Sequence, residues 1–283
     1  MKKILVTGAT GFIGDSLVNE LVTQKYEVIP IGRSLKPWSS KFVRDNLIRF
    51  DLRNQNFPDI DNIDCVCLLA SMQPNKDNQW NSYYDINSKQ IFHFLNKDID
   101  QLIYISTTSI NSINGIPNPQ NYYGLSKALG ERLLKINKNQ FSQVSILRFP
   151  SVMGVNHYGG IIHDLKKWLE NDDDIDLYDG GKKYRNILYV GDAVTAIVKT
   201  IIANKKLSNY EEFEMGSKRS NTLNEITNIL IRLMGKNKKV NLLDHSTNSN
   251  DIYVDNSKAI SKIGYVPRTI EDGIKQYLND CKI

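Results

Sequence analysis

The chain has 283 residues, 41% of them hydrophobic, and a formal net charge of +5. That length suits one large α/β domain or a domain with a smaller lobe. The charge is mild and dispersed: its densest basic stretch, Lys236-Asn237-Lys238-Lys239, reads as a solvated loop, and no basic stripe interleaved with aromatics points to nucleic acid. The cysteines Cys65, Cys67 and Cys281 give neither a disulfide framework nor a metal site. No signal-peptide core and no apolar run approaching ~20 residues occurs, so cytoplasmic residence without membrane contact is expected.

In chain order, Ile4-Leu5-Val6 reads as a strand and Phe12–Thr23 as a helix, with Leu17, Val18 and Leu21 at helical spacing. Tyr26–Ile31, Leu47–Phe50 and Cys65–Leu69 are the next strands. A helix around Tyr84–Leu95 precedes the strand Leu102–Ser106, and a helix around Tyr122–Ile136 precedes Val144–Phe149. Continuous apolar strands alternating with amphipathic helices predict an α/β fold, a doubly wound parallel sheet of Rossmann type. After Pro150 the rhythm loosens. Helices are expected near Ile161–Leu169, Ala193–Ile202 and Leu223–Met234, and short strands at Asn186–Val190 and Phe213–Met215. The expected division is a dinucleotide-binding domain over 1–150, with 186–216 returning to it. A smaller interleaved C-terminal substrate lobe would take 151–185 and 217–283.

The turn Thr7-Gly8-Ala9-Thr10-Gly11-Phe12-Ile13-Gly14 lies between the first strand and the first helix. Gly8 permits the sharp turn out of the strand. Gly11 lets a pyrophosphate approach the backbone, and Gly14 lets the helix pack closely on the sheet. The helix N-terminus offers N–H groups and a positive dipole end to phosphates. The second strand ends Ile31-Gly32-Arg33-Ser34. An acidic residue there would take the ribose hydroxyl of NAD. Arg33, with Ser34 as a further donor, suits the 2′-phosphate of NADP instead, unless Arg33 only stacks on the adenine. NADP(H) is the favoured cofactor and NAD(H) the alternative.

Tyr123 and Lys127 stand four apart on a predicted helix and share a face. A neighbouring ammonium should lower the phenol's pKa, so that Tyr123 can exchange a proton with a substrate oxygen. Tyr122 is a competing phenol without that spacing. The run Ser106-Thr107-Thr108-Ser109 puts hydroxyls at the carboxyl edge of the sheet, where one could hold a reacting carbonyl oxygen.

The ordered set TGATGFIG, ISTTS, YYGLSK and Arg148-Phe149-Pro150 resembles the extended short-chain dehydrogenase/reductase family, the epimerases, dehydratases and ketoreductases of nucleotide-sugars. The resemblance covers essentially the whole chain. It implies Tyr123 as acid/base, Lys127 as its partner and ribose ligand, and Thr107 as hydroxyl donor, three before Ile110, with Thr108 its competitor on the substrate side. It implies cofactor contacts from Gly8, Thr10, Gly11, Phe12, Ile13 and Gly14, from Asp51-Leu52 after the third strand, and from the Leu69-Ala70 turn. Asn87 matches the family's helix Asn, and Pro150 would line the nicotinamide site. Arg185, within Tyr184–Asp192, would bind the nucleotide diphosphate. Asp251 opens the closing motif that runs through Lys258 to Gly264-Tyr265-Val266-Pro267. The helices around Tyr84–Leu95 and Tyr122–Ile136 resemble the pair that forms a homodimer in this family.

Three departures are present. Ser151 stands where many members carry a substrate-binding Asn, Asn248 stands where an Arg often completes the phosphate clamp, and the loop before Tyr123 is short. Thr108-Ser109 replaces the Asp-Glu pair of the resembling 4,6-dehydratases, which argues against dehydration. The leading expectation is an NADPH-dependent ketoreductase of a nucleotide-linked 4-keto-6-deoxy sugar, in activated-sugar synthesis for surface polysaccharide. The alternatives are an NAD-dependent nucleotide-sugar epimerase and a non-catalytic dinucleotide-binding regulator. Sugar recognition is expected from residues such as His157, Tyr158 and Tyr178. His157 reads as a loop residue, not a base.

Overall fold

The structure is a computed structural model that describes residues 1–74, 79–110, 116–171, 173–247 and 249–282. The chain divides into two compact units. The first comprises Met1–Phe149, Val194–Glu214 and Lys258–Tyr265; the second comprises Pro150–Ala193, Met215–Ser257 and Val266–Ile283. These bounds differ from the expected ones at Pro150, 186–193, 215–216 and 258–265. Residues 186–193 belong to the second unit, because Ile187–Tyr189 pairs in parallel with Ser151–Met153 in a small sheet of its own. Residues 258–265 belong to the first, where Lys258 pairs with Glu211 at 2.7 Å and Lys199 Nζ donates to the Gly264 carbonyl at 2.6 Å.

In the first unit the elements are β1 (Lys3–Thr7), α1 (Phe12–Thr23), β2 (Glu27–Gly32), α2 (Lys41–Asn46), β3 (Ile48–Arg49), β4 (Cys65–Leu68), α3 (Trp80–Tyr83), β5 (Gln101–Thr107), α4 (Tyr122–Asn137), β6 (Gln143–Phe149) and the strand Tyr210–Glu214. The seven strands form one sheet, with β3, β2, β1, β4, β5 and β6 side by side and Tyr210–Glu214 outermost. Every pairing is parallel. β4, β5 and β6 are buried along their whole length. A parallel strand covered on both faces is apolar over most of its length, as in Leu102–Ile105 of β5. The strand order reverses between β1 and β4, and in such sheets the crevice beyond the carboxyl ends at that point is where ligands bind.

The expected Tyr84–Leu95 helix is not a regular α-helix. α3 passes into a π-helical turn at Tyr84–Ser88 and a 3₁₀ turn at Lys89–His93. Side chains take the carbonyls that a regular helix would use: Tyr104 Oη donates to the Asn87 carbonyl at 2.6 Å, and Gln90 Nε2 donates to the Ile86 carbonyl. The distortion turns Asn87, Ser88 and Gln90 inward, where all three are fully buried.

The second unit has its own core, in which Leu165, Leu169, Ile226, Leu230 and Ile274 meet. Its helices Ile161–Glu170, Leu223–Leu233 and Ile270–Asp280 are joined by strands of two or three residues. The capping box at Thr222 and Glu225 starts the second of these helices.

Candidate active site

The glycine turn is shaped by close approach. Gly8 has φ +68°, and a Cβ there would sit 2.7 Å from the Ala70 amide nitrogen; a Cβ on Gly14 would sit 2.1 Å from the Gly8 carbonyl oxygen. α1 therefore begins pressed against the end of β1. Gly11 is its N-cap, accepts the Asp15 N–H at 2.9 Å, and brings no capping side chain. Phe12 and Ile13 form the first turn, and Thr10 is buried against Gly32. A bare, uncapped helix start at the carboxyl edge of the sheet fits a dinucleotide's pyrophosphate.

β2 ends at Gly32, and Arg33 and Ser34 follow it exposed. No carboxylate stands at that strand end. Asp51 is held by Arg53, through Nε at 3.0 Å and Nη2 at 2.5 Å, and this bond lowers its pKa, with the Arg33 charge adding a smaller effect. Leu52 is buried beside it. The Leu69-Ala70 turn is fixed from both sides: Ala70 N–H donates to Thr7 Oγ1 at 3.2 Å, and the Ala70 carbonyl accepts from Gln90 at 2.9 Å.

α4 starts at the Asn121 cap, whose side chain accepts from Gly124 N–H at 2.8 Å. Tyr122 turns outward, 55% exposed, with its ring 6.0 Å from that of Trp80. Tyr123 turns inward, its ring 6.5 Å from that of Tyr83. The Thr107 and Ser71 hydroxyls both act on the Tyr123 phenol in the direction that lowers its pKa. Thr107 is buried at the last position of β5 and accepts the Ser109 N–H at 3.1 Å; Thr108 starts the following turn.

The expected electrostatics need correction. Burial raises the Tyr123 pKa, against the pull of Thr107 and Ser71, so Lys127 does not depress it in the free protein. Lys127 is itself 1% exposed, and burial brings its pKa down to about 7 despite the attraction of Glu131. Its Nζ donates to the Ile105 carbonyl at 2.8 Å and lies 4.9 Å from the Tyr104 ring centre. Desolvation of the ammonium outweighs its attraction to Glu131.

The remaining expected contacts lie in the second unit. Pro150 is buried and Ser151 exposed. The Arg185 guanidinium donates to the Tyr184 and Asn250 carbonyls, at 2.8 and 2.9 Å, and to Ser249 Oγ at 3.0 Å. Asp251 Oδ1 accepts the Tyr184 N–H at 2.9 Å, so one loop serves both residues. Tyr158 and Tyr178 are exposed. His157 lies in a loop, and burial lowers its pKa. Asn248 lies outside the described residues, as does 111–115 of the loop before Tyr123.

Two residues at this site escaped the sequence reading. Glu131 continues the face of Tyr123 and Lys127 by one more turn, a signal the four-residue spacing carried. Ser71 had no spacing signal. Among the described residues no His/Cys/Asp/Glu group could hold a metal, and no helix is long and apolar enough to cross a membrane.

The family model described as "NAD dependent epimerase/dehydratase family" matches residues 4–216. A UDP-glucuronate 4-epimerase of Thermodesulfobacterium geofontis is 26% identical, over 98% of this chain and 95% of its own. A dTDP-4-dehydro-6-deoxy-D-allose reductase of a Streptomyces species is 22% identical, over 97% and 94%. The crystal structure of the UDP-glucuronic acid 4-epimerase of Bacillus cereus, in complex with UDP-glucuronic acid and NAD, matches with a TM-score of 0.82 at 25% identity, covering 99% of both chains. A parallel sheet of Rossmann order, a glycine turn at its switch point and a Tyr/Lys pair at its carboxyl edge agree with these matches: the chain belongs to the NAD dependent epimerase/dehydratase family, within the extended short-chain dehydrogenases/reductases, and is an enzyme of their NAD(P)-dependent oxidoreductase class.

Proposed function

We propose that the protein is an NADPH-dependent ketoreductase of a nucleotide-linked 4-keto-6-deoxy sugar. The observation that carries this reading is the end of β2, where Arg33 and Ser34 are exposed and no carboxylate stands to accept a ribose hydroxyl. The reductase among the relatives supports it, and so does the pair Thr108-Ser109 in place of the acids a dehydratase needs.

Gly8, Thr10, Gly11, Phe12, Ile13 and Gly14 would hold the pyrophosphate, Arg33 and Ser34 the 2′-phosphate, and Asp51 and Leu52 the adenine side. Leu69, Ala70, Lys127 and Pro150 would take the nicotinamide end. The bound dinucleotide supplies the hydride. Thr107 holds the carbonyl oxygen, and Tyr123 gives that oxygen its proton as charge develops there. The raised pKa of Tyr123 keeps the phenol protonated at neutral pH, as an acid requires. Thr108, Ser151, Arg185 and Asp251 would contact substrate, Arg185 through its diphosphate. A homodimer through α4 and the segment before β5 completes the reading; Phe92, Leu125 and Ile136 are exposed there, and light scattering would measure its mass.

The second reading is an NAD-dependent nucleotide-sugar epimerase, which the epimerase relatives favour. Mixing the protein with NADPH and a nucleotide-4-keto-6-deoxy sugar separates the two. A reductase consumes NADPH one-for-one with substrate; an epimerase leaves the nicotinamide absorbance unchanged while its product accumulates. Tyr123→Phe should lower reductase turnover by roughly 10²–10⁴-fold. Unchanged turnover would remove Tyr123 from the mechanism.

A further inference from the structure

Lys127 carries its ammonium into a buried place, and the ring of Tyr104 lies beside it. Lys127 Nζ is 4.9 Å from the Tyr104 ring centre, inside the range of about 6 Å over which a ring face attracts a cation. Lys127 is 1% exposed and Tyr104 0%. We propose that Tyr104 is a positioning residue whose ring face holds Lys127 in place as an ammonium. The inference rests on Lys127 belonging to the active site, and it applies to a reductase and an epimerase alike.

The ring is fixed from two sides. Tyr104 belongs to β5, and its Oη donates at 2.6 Å to the carbonyl of Asn87 in the π-helical turn. Gly130 on α4 makes room for that hydroxyl, because a Cβ there would sit 2.5 Å from Oη. Burial, and then the charge of Glu131, raise the Tyr104 pKa, so this phenol stays neutral. What it presents to Lys127 is therefore the ring face, the negative side of the quadrupole.

The other attractions on the ammonium are partly committed elsewhere. The Ile105 carbonyl accepts one of its three N–H groups at 2.8 Å. Glu131, one turn further along α4, is held by Arg148 on β6, through Nε at 3.0 Å and Nη2 at 2.7 Å, and by Ser106 Oγ at 2.5 Å. Glu212 stands behind Arg148, and Tyr123 shares the helix face of Lys127. Burial brings the Lys127 pKa down to about 7, so a modest attraction decides its charge near neutrality. A second carboxylate would bind the ammonium tightly and draw it away from a ribose. A ring face adds attraction without a point acceptor that takes up an N–H group, and it attracts more strongly in a desolvated place than at the surface.

The test replaces Tyr104 in the full chain with phenylalanine, and then with phenylalanines carrying one, two and three ring fluorines. Ring size barely changes along this series, while each fluorine weakens the negative face. Lysine labelled with ¹³C at Cε reports the charge directly, and the Lys127 signal is the one missing from Lys127→Met. Tyr104→Phe should keep the Lys127 titration midpoint near that of wild type, although the bond to Asn87 is lost. The midpoint should then fall stepwise, by about one pH unit at three fluorines. The alkaline limb of kcat/KM should move down in pH with it, since the charge is lost earlier. A midpoint that does not move along the fluorine series overturns the inference, whatever happens to stability. A midpoint that moves while the kcat/KM profile stays where it was leaves the ring contact standing and removes the Lys127 charge from the chemistry.

Discussion

Arg148 grips Glu131 with two nitrogens, Nε to Oε1 at 3.0 Å and Nη2 to Oε2 at 2.7 Å, and the same Nη2 reaches Glu212 at 2.7 Å. The Arg148 and Glu131 side chains are 9% and 4% exposed, Glu212 29%. Ser106 Oγ adds a 2.5 Å bond to Glu131, and Lys135 lies 3.7 Å from Glu212. Lys127, Glu131, Arg148, Glu212 and Lys135 thus form a row of alternating sign from the candidate site outward. Removing one partner of a buried pair strands the other's charge. Glu131→Gln should destabilise the protein by about 3 kcal/mol, read as a fall in the urea midpoint, whereas Glu212→Gln should cost less than about 1 kcal/mol. Equal costs would mean that the row is not organised around Glu131.

Lys127 gives stability a pH dependence of definite sign. Its pKa falls from an ordinary 10.5 in the unfolded chain to about 7 in the folded one. Between those values the unfolded state binds more protons, so folding becomes more favourable as pH rises. The penalty of burying the ammonium is full below about pH 7 and is relieved by about pH 10.5. Lys127→Met should remove that rise, worth on the order of a few kcal/mol, in urea melts across this window. If wild type and variant keep parallel profiles, Lys127 stays charged in the folded protein.

Much of this architecture was legible in the sequence, and the exceptions share a cause. β4, β5 and β6 announce themselves because strands buried on both faces carry long apolar runs, such as Cys65–Leu68 and Leu102–Ile105. Tyr123, Lys127 and the three glycines stand out because their spacing is local. The strands Tyr184–Arg185 and Val240–Leu242 do not, since two or three residues hold no period and their partners lie far along the chain. The π-helical turn at Tyr84–Ser88 depends on Tyr104 and Gln90 competing for carbonyls, which no local pattern encodes. The Tyr123 pKa went the other way from expectation because burial is a property of the fold, while the spacing of Tyr and Lys reports only proximity. Ser71 is placed by a turn held by Thr7 and Gln90, residues far from it in sequence.

Gly14 offers a test of the turn apart from catalysis. A Cβ there would lie 2.1 Å from the Gly8 carbonyl oxygen, a backbone atom that cannot swing away. Gly14→Ala should destabilise by about 2 kcal/mol through overpacking and weaken dinucleotide binding measured by calorimetry. Gly159→Ala is the control, because its Cβ would meet nothing within 4 Å. Its effect should stay within about 0.5 kcal/mol.

The choice between the two dinucleotides turns on Arg33. An exposed guanidinium after β2 can pair with a 2′-phosphate through charge-assisted bonds worth about 1.5–3 kcal/mol. Losing them should weaken NADPH binding by roughly ten- to a hundredfold. Arg33→Glu goes further, placing a carboxylate where it repels that phosphate and can accept the ribose hydroxyl of NADH. Calorimetric titration of wild type and variant with both dinucleotides should therefore show the preference inverted, with NADH binding improved. The charge of Arg33 also helps hold the Asp51 pKa down, so the variant should raise that pKa slightly while the bond from Arg53 stays in place. Equal affinity of the wild-type protein for NADPH and NADH, unchanged by the substitution, would leave Arg33 as an adenine-stacking residue and move the epimerase reading to first place.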